Sequence, residues 1–210
     1  AEALGRHHVL GAGAWSDTLR FRREIADALG VRRPRVDAMV LGQHGDHLVP
    51  VWSDVSVAGL GPAAVRDWVA AERGNRALAD LPEEVRTAKG AMLAKVRAGE
   101  VADAYAHIEA LPADLRAAVK PFFTHFTAGH TTEVVTAHAV ADLVTAMVHG
   151  REVVVPAQVV LEGELGGLHG VGAVPVAAGA RGWTAVADLE LAGDERVALE
   201  SAVAAGAAHR

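Results

Sequence analysis

The sequence has no cysteine. That absence removes disulfide cross-links, thiolate metal sites and a thiol nucleophile, and it leaves compartment unreadable from redox chemistry, with the cytosol as the default expectation. A basic cluster is also missing: 20 Lys and Arg are scattered against 26 Asp and Glu, a formal net charge of −6. Such a surface offers no footprint for nucleic acid. Long apolar runs are lacking as well. The most apolar stretches, such as residues 153–155 and 171–179, fall far short of the ~20 residues needed to cross a bilayer, so no membrane partner is expected. Residues 1–10 contain no apolar core of the kind a signal peptide carries. There is no internal repeat and no flexible linker, and the chain begins at Ala1 rather than at a methionine. What is present is 210 residues, 51% hydrophobic and 22% charged, too apolar for disorder and long enough to bury a real core.

Local patterning predicts the elements. Residues 6–10 form a short strand that breaks at Gly11-Ala12-Gly13, and from Asp17 the spacing of Phe21, Ile25, Ala28 and Leu29 predicts a helix stopped by Gly30. Residues 36–41 predict a buried strand, followed by the polar, glycine-flanked turn Gly42-Gln43-His44-Gly45-Asp46-His47 and a second strand over residues 49–57. Pro62, Pro82 and Pro112 each stand where a helix can start in an Ala-rich region with few β-branched residues. A longer helix is predicted over residues 131–149, with Val140, Leu143, Val144, Met147 and Val148 as its apolar stripe. Strands follow at residues 152–161, 171–177 and 184–191, and Asp194-Glu195 open a last helix through Ala207, where acidic residues favour the positive end of its dipole. The expected architecture is a single α+β domain with mixed or antiparallel strands and long helices.

Three constellations could carry chemistry. Gly11-Ala12-Gly13-Ala14-Trp15-Ser16 has the context of a dinucleotide-binding turn, but Ser16 stands at the third glycine position, and a plain strand-to-helix turn accounts for it better. Asp17 and Arg20, at i and i+3, could present a carboxylate and a guanidinium to one cavity, the latter suited to grip a carboxylate with two parallel hydrogen bonds. The plain alternative is a helix cap and a solvated charge. His44, in a turn at the end of a buried strand, could move a proton near neutrality if a carboxylate such as Asp17 orients it. His44 and His47 have no third ligand at suitable spacing, so no metal is expected. His125 and His130 are expected at the surface or at helix ends, and Trp15, Trp52, Trp68 and Trp183 in the core or an interface.

Taken together, these stretches resemble the catalytic, C-terminal domain of the lactate/malate dehydrogenase family. Ser16-Asp17-Thr18-Leu19-Arg20-Phe21-Arg22 is similar to the family's L-D-[ST]-x-R-F-R helix start, and Val40-Leu41-Gly42-Gln43-His44-Gly45-Asp46-His47-Leu48-Val49-Pro50 to its V-x-G-x-H-G-D-x-x-V-P segment. Leu161-Glu162-Gly163-Glu164-Leu165-Gly166, Val174-Pro175-Val176, and Leu189-Glu190-Leu191 with Asp194-Glu195 resemble its later motifs, in the same order.

The resemblance implies that His44 is the acid/base catalyst, that Asp17 orients it, that Arg20 binds the carboxylate of a small 2-oxo or 2-hydroxy acid, and that Thr131 lines the substrate pocket. It implies NAD as cofactor. The family's nucleotide-binding half precedes this point and has no counterpart here, so cofactor-binding residues are unassigned and the chain alone is expected to be incompetent as a dehydrogenase. The expected partners are a homo-oligomer or that missing half. Departures from the pattern are Ser16 in place of leucine, Ala12 where serine is common, and residues 97–125, which read as a helical insertion. The rival reading is a stand-alone carboxylate-binding or protein-interaction module without redox activity, with that insertion as its working surface. A third is cofactor-independent acid/base chemistry by His44 and Asp17.

Overall fold

In a computed structural model of the chain, residues 4–124 and 131–207 are described. Helix α1 (Gly13–Ala28) leads into strand β1 (Val36–Gly42), which pairs antiparallel with β2 (Leu48–Val57). Four helices follow: α2 (Pro62–Arg73), α3 (Leu81–Arg97), α4 (Val101–Glu109) and α5 (Ala113–Thr124). After α6 (Thr131–Val148), strands β3 (Val153–Glu162), β4 (His169–Gly179) and β5 (Gly182–Val186) complete the sheet, and α7 (Gly193–Ala207) closes the described chain. The strand order is β2-β1-β4-β3, with β5 also on β4, and every described pairing is antiparallel. This is the expected α+β architecture. No described helix is long and apolar enough to cross a membrane.

The β1–β2 hairpin and the long β3–β4 ladder meet at one point, where Gly42 pairs with Ala173. The turn containing His44 therefore leaves the sheet at its central seam. Gly42 is required there: its φ is +82°, and a Cβ would lie 2.6 Å from the carbonyl oxygen of His47.

Helix α1 crosses this seam. Its apolar residues Ala14, Phe21 and Ile25 are fully buried, and Phe21 meets Trp52 of β2 edge-on with ring centroids 4.9 Å apart. Thr18, also buried, accepts a hydrogen bond from the backbone N–H of Val40 at 2.9 Å, which fixes α1 against β1. On its far side Glu24 receives Arg116 and Lys120 of α5 at 3.1 and 3.2 Å. A buried carboxylate is tolerable only with such partners. A second core lies between the sheet and α7, with Leu41, Val155, Trp183, Leu199 and Val203, and a third holds α3, α4 and α5 together through Met92, Ile108, Val119 and Phe123.

Several expectations need correction. Residues 6–10 do not form a strand: Arg6–His8 is a 3-10 turn held by side chains, with Arg6 on Glu164 at 2.7 Å and the Trp183 indole donating to the Arg6 carbonyl at 2.8 Å. Only Gly11 bridges the sheet, to Gln158. The last strand stops at Val186, and Leu189 and Leu191 pack without ladder pairing. In α6 the covered face is Ala139, Leu143 and Ala146, while Val140, Val144 and Val148 point outward. With valines on the exposed face and alanines beside Leu143 on the covered one, apolar spacing alone does not single out the buried side.

Glu195, fully buried at the start of α7, accepts from the Ser53 N–H (2.9 Å), the Ser53 hydroxyl (2.5 Å) and the Ala192 N–H (2.9 Å), joining α7 to β2. Glu195→Ala leaves those donors unpaired and is expected to cost about 3 kcal/mol. For a chain of this size that is a fall in melting temperature of about 6–12 °C, read by circular dichroism. A loss under about 1 kcal/mol would show that the cluster is not a structural joint.

Candidate active site

The sheet seam and α1 bring together three of the four side chains singled out from sequence. The helix begins at Gly13, with Ala12 as its N-cap, so Asp17 lies inside it and is not a cap. Its carboxylate is 5% exposed and divides its two oxygens: Oδ2 takes the His44 Nδ1 at 2.7 Å, and Oδ1 takes the Arg20 Nη1 at 3.1 Å. Arg20, far from being a solvated charge, has a side chain only 12% exposed. Because Nδ1–H of His44 is directed at a carboxylate, Nε2 is left on the opposite side of the ring for a ligand, and the ring itself is 53% exposed.

The electrostatics follow from this contact. The hydrogen bond to Asp17 raises the His44 pKa above the ordinary imidazole value of about 6.5, opposed by burial and by the charges of Arg20 and Lys89. The imidazole thus holds a proton more readily than a free histidine, yet stays able to release it. Such a group can protonate a carbonyl oxygen and take the proton back in the reverse direction.

Arg20 has a second described partner that sequence reasoning missed. Its Nη2 donates to the Thr136 hydroxyl at 3.3 Å, and that hydroxyl lies 3.3 Å from the hydroxyl of buried Ser16. Ser16, noted as a departure from leucine, therefore faces a hydroxyl rather than an apolar wall. Thr136 is one of several polar residues of α6, with Glu133, His138, Asp142 and Thr145, so nothing in its spacing singled it out. Thr131, the predicted pocket residue, opens α6, but its side chain lies outside the described residues, as do His125 and His130. Arg20 also lines a cavity of about 570 Å³ between α1 and α5. A cavity of about 700 Å³ beside β2 and α2 touches none of the three side chains, so size alone does not mark the site.

Gly11 and Gly13 serve packing. Gly11 exchanges both backbone hydrogen bonds with Gln158, at 2.8 and 2.9 Å, and a Cβ on Gly13 would come within 2.7 Å of the His44 Cβ. Their close approaches are spent on the sheet and on His44 rather than on a phosphate cradle. The described sheet has no parallel βαβ unit either, so these residues do not fit a bound dinucleotide. Among the described residues no group of three His, Cys, Asp or Glu could hold a metal ion.

The turn that carries His44 is anchored by three side chains, each to a different element. Gln43 donates to the Val171 carbonyl of β4 at 3.2 Å, His44 meets Asp17 of α1, and Asp46 accepts from Lys89 of α3 at 2.6 Å. The last contact was not foreseen, since nothing local links residues 46 and 89.

Comparison with known proteins places the chain in a family. The family model described as lactate/malate dehydrogenase, alpha/beta C-terminal domain, matches residues 16–129 and 127–205. A malate dehydrogenase of Halobacterium salinarum is 32% identical over 201 residues, covering 94% of this chain and 51% of that protein. An L-lactate dehydrogenase 2 of Listeria monocytogenes is 48% identical over 56 residues, 27% of this chain and 18% of that protein. The structure of the malate dehydrogenase from Aeropyrum pernix superposes with a TM-score of 0.66 at 21% identity, covering 98% of this chain and 56% of that one, which is a likeness of fold. The chain spans about half the length of the longest-matching of these relatives. With a family model matched across most of its length, the chain belongs to the lactate/malate dehydrogenase family, in the α/β C-terminal domain.

Proposed function

We propose that this chain is the catalytic portion of an NAD-dependent dehydrogenase acting on a small 2-oxo or 2-hydroxy acid of the malate or lactate type. The observation that carries the reading is the Asp17–His44 hydrogen bond at 2.7 Å with Arg20 on the same carboxylate. A proton-transfer group and a carboxylate-recognising group then stand side by side. Membership of a dehydrogenase family favours this over an interaction module.

In this proposal Nε2 of His44 gives its proton to the 2-oxo oxygen in one direction and removes the 2-hydroxyl proton in the other. Asp17 keeps Nδ1 protonated, fixes the ring plane and stabilises the imidazolium. Of the five N–H donors of Arg20, two engage described partners, and the rest remain to grip the substrate carboxylate. A nicotinamide cofactor would supply or accept the hydride, and holding it calls for a dinucleotide-binding element other than the described residues. Thr131 is a candidate pocket residue on the same helix as Thr136, the partner of Arg20. We treat residues 1–210 as one catalytic and substrate-binding unit, with residues 97–125 as its inserted helices; α5 of that stretch is bonded to α1 through Glu24.

Assayed in the native-length protein, His44→Ala is expected to lower kcat by about 10²- to 10⁴-fold with cofactor binding unchanged. Turnover within about tenfold of the native value would rule His44 out as the acid/base group.

Arg20→Lys keeps a positive charge but loses the two-pronged geometry, so KM for the acid should rise about 10- to 100-fold. An unchanged KM would place the carboxylate elsewhere.

The raised His44 pKa also makes a stability statement. A group whose folded-state pKa lies above its unfolded value of about 6.5 contributes stability that is full below that value and lost as pH rises through the folded one. Urea unfolding should therefore find a larger gap between the native protein and Asp17→Asn at about pH 5.5 than at about pH 9. A gap that does not change with pH would contradict the coupling.

A further inference from the structure

We propose that Lys89, through its ion pair with Asp46, is a positioning residue for His44, and that α3, α4 and α5 form the brace that holds it there. The inference builds on the reading of His44 as acid/base group, but it stands on its own geometry and its own test.

The six-residue turn from Gly42 to His47 contains two glycines and no apolar side chain, so it cannot be held by packing. Its described side-chain anchors are the three named above. Gln43 sets the root of the turn and Asp17 sets the ring. The Lys89–Asp46 pair, at 2.6 Å, is the described side-chain contact of the distal half, beyond Gly45 with its φ of +104°, and it adds to the backbone hydrogen bond from the Gln43 N–H to the His47 carbonyl at 3.0 Å that closes the turn. The Lys89 side chain is 20% exposed and that of Asp46 37%, so this charge-assisted contact is partly shielded from water.

Lys89 in turn is placed by structure outside the Asp17–His44–Arg20 cluster. Leu81, Val85, Ala88 and Met92 form the buried stripe of α3, and Lys89 leaves the helix beside Ala88. Its ammonium lies over the ring of Phe122 of α5, 5.2 Å from the centroid. Arg76 bonds both Glu84 of α3 and buried Asp114 of α5, at 3.0 and 2.9 Å, and so locks the two helices in register. The apolar contacts of Met92, Ile108, Val119 and Phe123 complete the brace. The helical stretch thus has a function at the site: it presents one cation to the loop of His44.

The consequence is electrostatic as well as mechanical. The charged and titratable groups described around His44 are Asp17 and Arg20 from α1, Asp46 and His47 from its own turn, and Lys89 from α3. Asp17 draws a proton onto the imidazole, while Arg20 and Lys89 oppose it. Lys89 also neutralises Asp46, the one carboxylate of the turn itself, which stands beside Asp17 of α1 as a second carboxylate near His44. Without it, two carboxylates and one cation would surround His44, and the imidazole would release its proton less readily.

The two ends of the pair therefore make opposite predictions, read by NMR titration of the His44 imidazole in this chain, which needs neither cofactor nor turnover. Lys89→Met removes a cation and uncovers Asp46, and should raise the His44 midpoint by about half a pH unit. Asp46→Asn leaves Lys89 uncompensated and should lower it by a similar amount, about half a unit. Lys89→Arg and the double variant Lys89→Met/Asp46→Asn should both stay near the native midpoint. A merely structural contact would move both single variants the same way or neither, and either result overturns the proposal. Should the titration behave as expected while His44→Ala keeps its turnover, the positioning holds and the catalytic reading of His44 falls; the reverse pairing separates them equally.

Discussion

One buried carboxylate organises the site. Asp17 is 5% exposed and cannot stay charged there without partners, and its two oxygens are each taken by a different one. His44 comes from a turn at the sheet seam and Arg20 from the next turn of the same helix. The constraint runs both ways: the carboxylate is tolerable because the two cationic groups are there, and the two groups are oriented because the carboxylate is. Any displacement of α1 along β1 would break both contacts, which is why the Thr18 hydroxyl on the Val40 N–H and the Phe21–Trp52 contact matter to chemistry as much as to stability.

The sheet supplies the rest of the geometry. Gly42 pairs with Ala173 at the one place where the two antiparallel halves join, and the same glycine, in a left-handed conformation, turns the chain outward. Gly13 allows the start of α1 to lie directly against His44. Two glycines thus place the histidine by permitting approach, and the ion pairs around it then remove the freedom that remains. The helices of residues 97–125 belong to this scheme rather than to a decoration on the surface, because α5 is bonded to α1 through Glu24 and to α3 through Arg76.

Much of this was legible in the residues. The α+β class and the hairpin around His44 follow from apolar spacing, glycine and proline. So do the proline-initiated helices and the acidic start of the last helix, while the roles proposed for Asp17, His44 and Arg20 rest on the resemblance to family motifs. What failed did so for identifiable reasons. Residues 6–10, read as a strand running into the Gly11-Ala12-Gly13 turn, are instead docked by Arg6 and Trp183 side chains. Leu189 and Leu191 are apolar because they pack, not because they pair. The valines of α6 made a stripe that faces outward, since small alanines beside Leu143 suffice to cover the sheet. Thr136 and Lys89 gave no signal because each acts on a residue far away in the chain.

By itself the sequence determined which chemical groups were available and the local conformations that carry them: a histidine in a glycine turn, a carboxylate and a guanidinium one helical turn apart, and no thiol. These are short-range properties, set by φ/ψ preference and periodicity. Only the tertiary structure decided that Asp17 faces His44, that Thr136 rather than any foreseen partner meets Arg20, and that a lysine 43 residues beyond Asp46 holds the loop. Those contacts join elements separated by long stretches of chain, and such pairs form only when the packing of whole helices against the sheet has made the encounter geometrically unavoidable.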